Sequence, residues 1–262
     1  MKVRFEIYRL VGNRCVQGWL EPGTLTIIKS LDAAQRQNGI AGAVAEIGVH
    51  HGRLFTALSL LQLRGETSVA IDVFGAQELN IDNSGCGDLA VFRRNVARWG
   101  SVRNLTVHQG DSTQLSSAQL AELARGGIRI FSIDGGHTDE IVFSDMQLAE
   151  KALCTGGIVI ADDVFNEWWP GVASGTLRYL HGGGTLQPFA VGFNKVFFAA
   201  AEFAGRYREL LAQQLENRHP LVAKDSELAG YDVLVMGMDG FKVRKLLRRS
   251  TLARHLYTRF TR

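Results

Sequence analysis

The sequence predicts an α/β protein built on a doubly wound, mostly parallel sheet, and three observations carry that prediction. Five short apolar runs alternate with helical patterns between residues 43 and 180, the signature of strand–helix units with right-handed crossovers. The first run leads into a turn bracketed by two glycines, Gly48 and Gly52. The four later runs end at or near acids: Asp72, Asp111, Asp134, and the pair Asp162-Asp163. In an open parallel sheet the ligand sits at the carboxyl ends of the strands, where strand order reverses.

Residues 3–10 alternate charged with apolar side chains and are expected to form a short strand or hairpin arm. Pro22-Gly23 marks a turn. From Thr24 to Gln37 the apolar residues Leu25, Ile27, Ile28, Leu31 and Ala34 fall at helical spacing, and Asn38-Gly39 closes the helix. The first strand covers 43–49. Its Val44, Ala45, Ile47 and Val49 are the small or β-branched residues of a strand covered on both faces. At Gly48 the backbone can bend sharply and a ligand can lie against it. The helix over 53–64 then aims its free N–H groups back at that ligand. Glu46 sets a carboxylate just before the turn. It disfavours a pyrophosphate there and tolerates an ammonium, a ribose or a sulfonium.

The second strand, 69–74, contains Asp72, about 20 residues past the glycine turn, a spacing at which a carboxylate takes ribose hydroxyls. The same acid would also serve as a helix cap or a solvated surface group. Residues 75–88 are polar and glycine-rich, too long for a minimal strand–helix turn, and read either as a loop that folds over a ligand or as a surface excursion. Asp88 opens a helix running to Trp99. The third strand, 105–109, precedes Gly110-Asp111-Ser112. The fourth, 128–133, precedes Asp134 and a helix over 138–152. The fifth, 157–161, precedes Asp162-Asp163. Runs 186–192 and 195–200 flank Asn194 as a terminal antiparallel pair, which makes a seven-stranded sheet. A helix follows over 201–218, and 231–238 reads as a further strand with no assigned neighbour.

The chain has 262 residues, 46% of them hydrophobic, and a net charge of +3. That charge is uneven: residues 241–262 hold eight of the 29 Lys and Arg and no acid, so the rest of the chain is net acidic. We read the chain as an N-terminal arm and helix (1–40), a main domain (41–200) and a C-terminal helical extension with a basic tail (201–262). No apolar run reaches the roughly 18 residues of a membrane span. Three scattered cysteines form neither a zinc pattern nor a disulfide framework; Cys154 reads as a core thiol, and a cytoplasmic location fits. Val243, Leu246, Leu247, Leu252, Leu256 and Phe260 interleave with the basic residues of the tail. That pattern suits either an anionic membrane surface or lipid-linked glycan, or packing against the domain or a second subunit. No nucleic-acid partner is expected.

Asp134, Asp162 and Asp163 would meet if the fourth and fifth strands are neighbours. Three carboxylates there suit a hard divalent cation such as Mg²⁺, although strand-end acids also cap helices. His137, in I-D-G-G-H-T-D-E, stands where an imidazole can act as a general base at neutral pH. It would equally serve as a helix N-cap. His50 and His51 read as packing or ligand-adjacent residues, and Trp168-Trp169-Pro170 as a wall of an acceptor pocket or as core. Asn194 and Lys195 fall near the same rim.

The stretch E-I-G-V-H-H-G resembles the first motif of class I S-adenosylmethionine-dependent methyltransferases, which implies a Rossmann-like sheet. The resemblance implies cofactor contacts from Glu46, Gly48 and Gly52, ribose binding by Asp72, and adenine contacts from Asp111 and Ser112. I-D-G-G-H, followed 28 residues after Asp134 by A-D-D, is similar to the metal-dependent O-methyltransferases that act on sugar hydroxyls of macrolide and aminocoumarin natural products. That likeness implies Asp134, Asp162 and Asp163 as Mg²⁺ ligands, with Asp134 also at the cofactor, and His137 as the base. It further implies a sugar or glycosylated acceptor and a lid at 75–88. Catechol-type O-methyltransferases, the alternative for a small vicinal diol, have Lys where His137 stands. An NAD(P) enzyme would expect G-x-G-x-x-G, which 46–52 lacks. A metal-dependent hydrolase would need neither Glu46 nor Asp72. A cofactor-binding, membrane-associated scaffold, or a homo-oligomer, remains a non-catalytic alternative.

Overall fold

The computed structural model describes residues 2–216 and 219–239; the expectation for the basic tail, 241–262, therefore lies outside the described residues. In chain order the elements are α1 (Lys2–Leu10), α2 (Thr24–Gln37), β1 (Ala43–Ile47), α3 (Arg53–Leu61), β2 (Ser68–Asp72), α4 (Leu89–Trp99) and β3 (Leu105–Gln109). They continue with α5 (Ser117–Ala124), β4 (Ile128–Ile133), α6 (Asp139–Ala152), β5 (Leu153–Asp162), α7 (Pro170–His181), β6 (Leu186–Gly192) and β7 (Lys195–Ala200). The last are α8 (Ala201–Leu215), β8 (Leu221–Leu228) and β9 (Tyr231–Met238).

All described strands join one sheet in the order β3-β2-β1-β4-β5-β7-β6-β9-β8. Strands β1 to β5 pair in parallel. β7 runs antiparallel to β5 and to β6, so the antiparallel pair expected from 186–200 is present. The chain winds outward from β1 to β3 and then returns to the other side of β1 with β4. The reversal thus falls between β1 and β4, where a ligand crevice is expected.

Alternation along the strands assigns each face its core. Val44, Ile130, Ile158 and Ile160 pack with side chains of α1, α2, α3 and α8. Ala45, Phe131, Val159 and Ala161 pack on the opposite face with α5, α6 and α7. The period of two along each strand places successive residues on opposite faces.

Three expectations are corrected here. The sheet has nine strands, not seven, because β9 pairs in parallel with β6 through Ala190↔Leu234 and Val191↔Val235, and β8 pairs with β9. β8 gives no apolar signal because it is an exposed edge carrying Lys224, Asp225 and Glu227, charges that protect a sheet edge from adventitious pairing. Residues 3–10 are a helix rather than a strand. Their alternation is incidental: Val3 and Ile7 are exposed, while Phe5 and Tyr8, three apart, are the buried residues. The Tyr8 hydroxyl donates to the Arg53 carbonyl at 2.6 Å and ties α1 to α3. Cys154 is also less buried than a core thiol, half-covered and packed on Gly127.

At the opposite end of the sheet from the crevice, Arg129 of β4 is wholly buried. It meets Asp32 of α2 at 2.9 Å and Glu66 at 3.1 Å, and it donates to Gln35 and to the Leu61 carbonyl, each at 2.9 Å. With every charge paired and bonded, this network fixes α2 against the sheet; breaking one partner of such a buried pair costs about 3–5 kcal/mol.

Candidate active site

A cleft of about 720 Å³ opens along the carboxyl ends of the central strands. Its geometry begins at Gly48, which leaves β1 with a φ of 80°. A Cβ on Gly48 would lie 1.6 Å from the Asp134 carbonyl oxygen. The ends of β1 and β4 therefore touch main chain to main chain, and the Asp134 N–H donates to the Ile47 carbonyl at 2.9 Å. The contact that opens the turn also sets the position of Asp134.

Asp72, at the end of β2, fastens that turn. Its Oδ2 accepts the His50 N–H at 2.7 Å and its Oδ1 the Phe74 N–H at 2.5 Å. Burial raises its carboxyl above the usual range, against the pull of those two donors. Each oxygen retains a second lone pair for a ligand hydroxyl. Asp111 accepts the Thr113 N–H and hydroxyl at 2.9 and 2.8 Å, and with Ser112 lines the same cleft. Asp145 of α6 reaches this wall from within the protein, close to Gly135. Burial pushes its carboxyl up to about 7.

Two residues expected at the cofactor stand elsewhere. Gly52 begins α3 with a φ of 84°, and a Cβ there would lie 2.9 Å from the Phe92 ring, so its lack of a side chain serves packing. Glu46 is 2% exposed, beneath the cleft rather than in its wall. Its Oε2 has no hydrogen-bond partner among the described residues, and burial drives its carboxyl well above the usual range.

Beside this half of the cleft, β4 and β5 bring the expected acids together. One oxygen each of Asp134 and Asp163 and one ring nitrogen of His137 all lie within 4.8 Å of one another. His137 Nε2 is 3.3 Å from Asp163 Oδ2 and 3.9 Å from Asp134 Oδ1. Asp163 Oδ1 accepts from Asn166 Nδ2 at 2.8 Å and from Asn194. Burial would raise the Asp163 carboxyl, but the bonds from His137, Asn166 and Asn194 outweigh it and hold the group below its usual value. Asp134 is raised well above the usual range by burial and by the Asp162 and Asp163 charges. Asp162, the third expected ligand, is held from the other side: Lys195 Nζ bonds its Oδ2, and the Asp163 N–H donates to its Oδ1 at 3.0 Å.

His137 does not cap α6; that role falls to Thr138, whose hydroxyl accepts from Ile141. Its ring stacks on Trp169, centroids 4.4 Å apart. The 75–88 segment reaches over to it, as Asp82 Oδ2 accepts the His137 N–H at 2.5 Å and faces Nδ1 at 3.0 Å. Burial alone would lower the imidazole; the Asp163 and Asp82 carboxylates outweigh it and raise the value. Trp168 and Trp19, both largely exposed, line the same cleft. His50 lines the cleft, and His51 is buried against it with ring centroids 3.9 Å apart. Asp82 is the functional candidate the sequence does not disclose, since nothing in a polar loop marks one acid among several.

Residues 45–164 match a family described as a methyltransferase domain. No curated protein sequence matches the chain. Among solved structures, the O-methyltransferase NovP superposes with a TM-score of 0.52 at 14% identity, covering 68% of this chain and 80% of that one. CalS11, a TDP-rhamnose 3'-O-methyltransferase of calicheamicin biosynthesis, gives 0.48 at 20% identity over 68% and 80% of the two chains. An O-methyltransferase from Bacillus cereus in complex with SAH gives 0.44 at 15% identity over 87% and 85%. A parallel sheet that reverses at β1/β4, a glycine turn at that point and the family match over the same strands lead to one conclusion: residues 45–164 are similar to a methyltransferase domain, carried on a Rossmann-like sheet.

Proposed function

We propose that the protein is a divalent-cation-dependent O-methyltransferase that transfers the methyl of S-adenosylmethionine to a hydroxyl of a sugar or glycosylated acceptor. The observation that carries this reading is the meeting of Asp134, Asp163 and His137 within one cleft with Gly48, Asp72 and Asp111. The cofactor half fits: Gly48 leaves the turn free of side chain, and Asp72 and Asp111 keep unused lone pairs. The cation half fits as well, because Asp134 accepts no hydrogen bond among the described residues and one oxygen of Asp163 lies within 4.8 Å of it and of the His137 ring nitrogen.

The sulfonium supplies a methyl that is already electrophilic, and a bound Mg²⁺ would lower the pKa of an acceptor hydroxyl and orient it. The protein's own residues do the rest. Asp134 and Asp163 fix the side of the cleft to which the acceptor oxygen is drawn. His137, aligned by Asp82 and Trp169, takes the hydroxyl proton at Nε2. The exposed rings of Trp19 and Trp168 give the acceptor flat apolar faces at the mouth. Alignment of this kind can supply on the order of 7–11 kcal/mol of barrier reduction at best.

The test pairs calorimetry with turnover. S-adenosylmethionine should bind and NADH should not. Radiolabelled methyl should pass to a sugar or glycoside in the presence of Mg²⁺ and stop on addition of EDTA. Transfer undiminished by EDTA would remove the cation from the mechanism, and an absence of S-adenosylmethionine binding would remove the reading altogether.

A further inference from the structure

The buried cation beneath the acids has no place in the mechanism above. Lys195 is the first residue of β7 and is 2% exposed. It stands directly across the antiparallel ladder from Asp162, and its ammonium bonds Asp162 Oδ2.

Resting on the cation reading above, we propose that Lys195 is an internal counter-cation that withdraws Asp162 from the divalent-cation set, so that the carboxylate ligands are Asp134 and Asp163. Two features of the structure argue for it. First, both oxygens of Asp162 are already engaged, Oδ2 by Lys195 and Oδ1 by the Asp163 N–H. Asp134, by contrast, accepts no hydrogen bond among the described residues, and Asp163, whose Oδ2 lies 3.3 Å from His137 Nε2, meets Asp134 and that imidazole in one cluster that leaves Asp162 out. Second, the lysine is fixed by strand register. An ion seated on Asp162 would meet a like charge held beside it in a buried place. A two-carboxylate set is chemically sufficient: Mg²⁺ is commonly held by one or two carboxylates and keeps its remaining positions for water or substrate oxygens. Those positions are the ones a vicinal diol of a sugar needs.

The experiment titrates the full-length protein with Mn²⁺ alone, read by electron paramagnetic resonance, with thermal melts to establish folding. Asp134→Asn and Asp163→Asn should each weaken binding by roughly 30-fold or more, whereas Asp162→Asn should change it by less than about threefold. Lys195→Met should tighten binding by about fivefold or more, because a third carboxylate is released to the ion. A loss in Asp162→Asn equal to that in Asp134→Asn overturns the proposal and leaves the cation reading standing. So does unchanged affinity in a folded Lys195→Met protein. If Lys195→Met does not fold, the Asp162→Asn result decides alone. Failure of the wild-type chain to bind Mn²⁺ overturns the cation reading and this proposal together.

Discussion

Replacing Gly48 with alanine is expected to abolish cofactor binding and to destabilise the whole fold. The added methyl would sit 1.6 Å from the Asp134 carbonyl oxygen and 2.4 Å from its carbon. Both are main-chain atoms of the neighbouring central strand, so no side chain can swing aside. The φ of 80° adds strain of its own for a residue with a Cβ. Relief would require β1 and β4 to part at their carboxyl ends, which breaks the Asp134 N–H bond to Ile47 and displaces Asp134. The loss of stability should be on the order of 4 kcal/mol or more, at the far end of single-substitution effects. Chemical denaturation measures it, and titration with S-adenosylhomocysteine should show no heat. A Gly48→Ala protein that melts and binds like the wild type would mean that the strands do not approach as described.

The second large effect is catalytic and leaves the fold intact. His137→Ala should reduce kcat by about a hundredfold or more, the range spanned by general acid–base groups, or roughly 3 kcal/mol of barrier. Affinity for S-adenosylmethionine should stay within about threefold, because the Gly48 turn, Asp72 and Asp111 lie on the other strands. The 75–88 segment should remain docked, since the main-chain N–H of residue 137 still donates to Asp82. A kcat within a few-fold of the wild type would take the proton-transfer role away from this residue.

The central architecture was legible because its signals are local. Apolar runs bounded by glycines and acids mark β1 to β5, and buried parallel strands tolerate little else. The acids were legible for the same reason: each ends a strand, and a parallel sheet gathers strand ends. What escaped was set by distant partners. In α1 an eight-residue alternation fits a strand as well as a helix, and only the docking of Phe5 and Tyr8 decides between them. β8 is polar because it is an edge. Lys195 opens an apolar run as if it were a solvated strand end; its burial follows from Asp162 lying opposite in the ladder. Asp82 sits 55 residues from His137 in sequence, a separation that no pattern in a flexible-looking loop can bridge.

The sheet order also bears on how the protein can be cut down for study. The stretch that carries the family match ends just after β5, yet β5 is an interior strand, covered along its far side by β7 from residues beyond that point. An excised 45–164 fragment would end in a raw, apolar flank with Ile158, Val159 and Ile160 beside unpaired amides. It would also lose α1, α2 and α8, which cover one face of the sheet, and α7, which covers part of the other. Such a fragment is a template for self-association rather than a minimal enzyme, and the smallest useful piece has to run from α1 through β9.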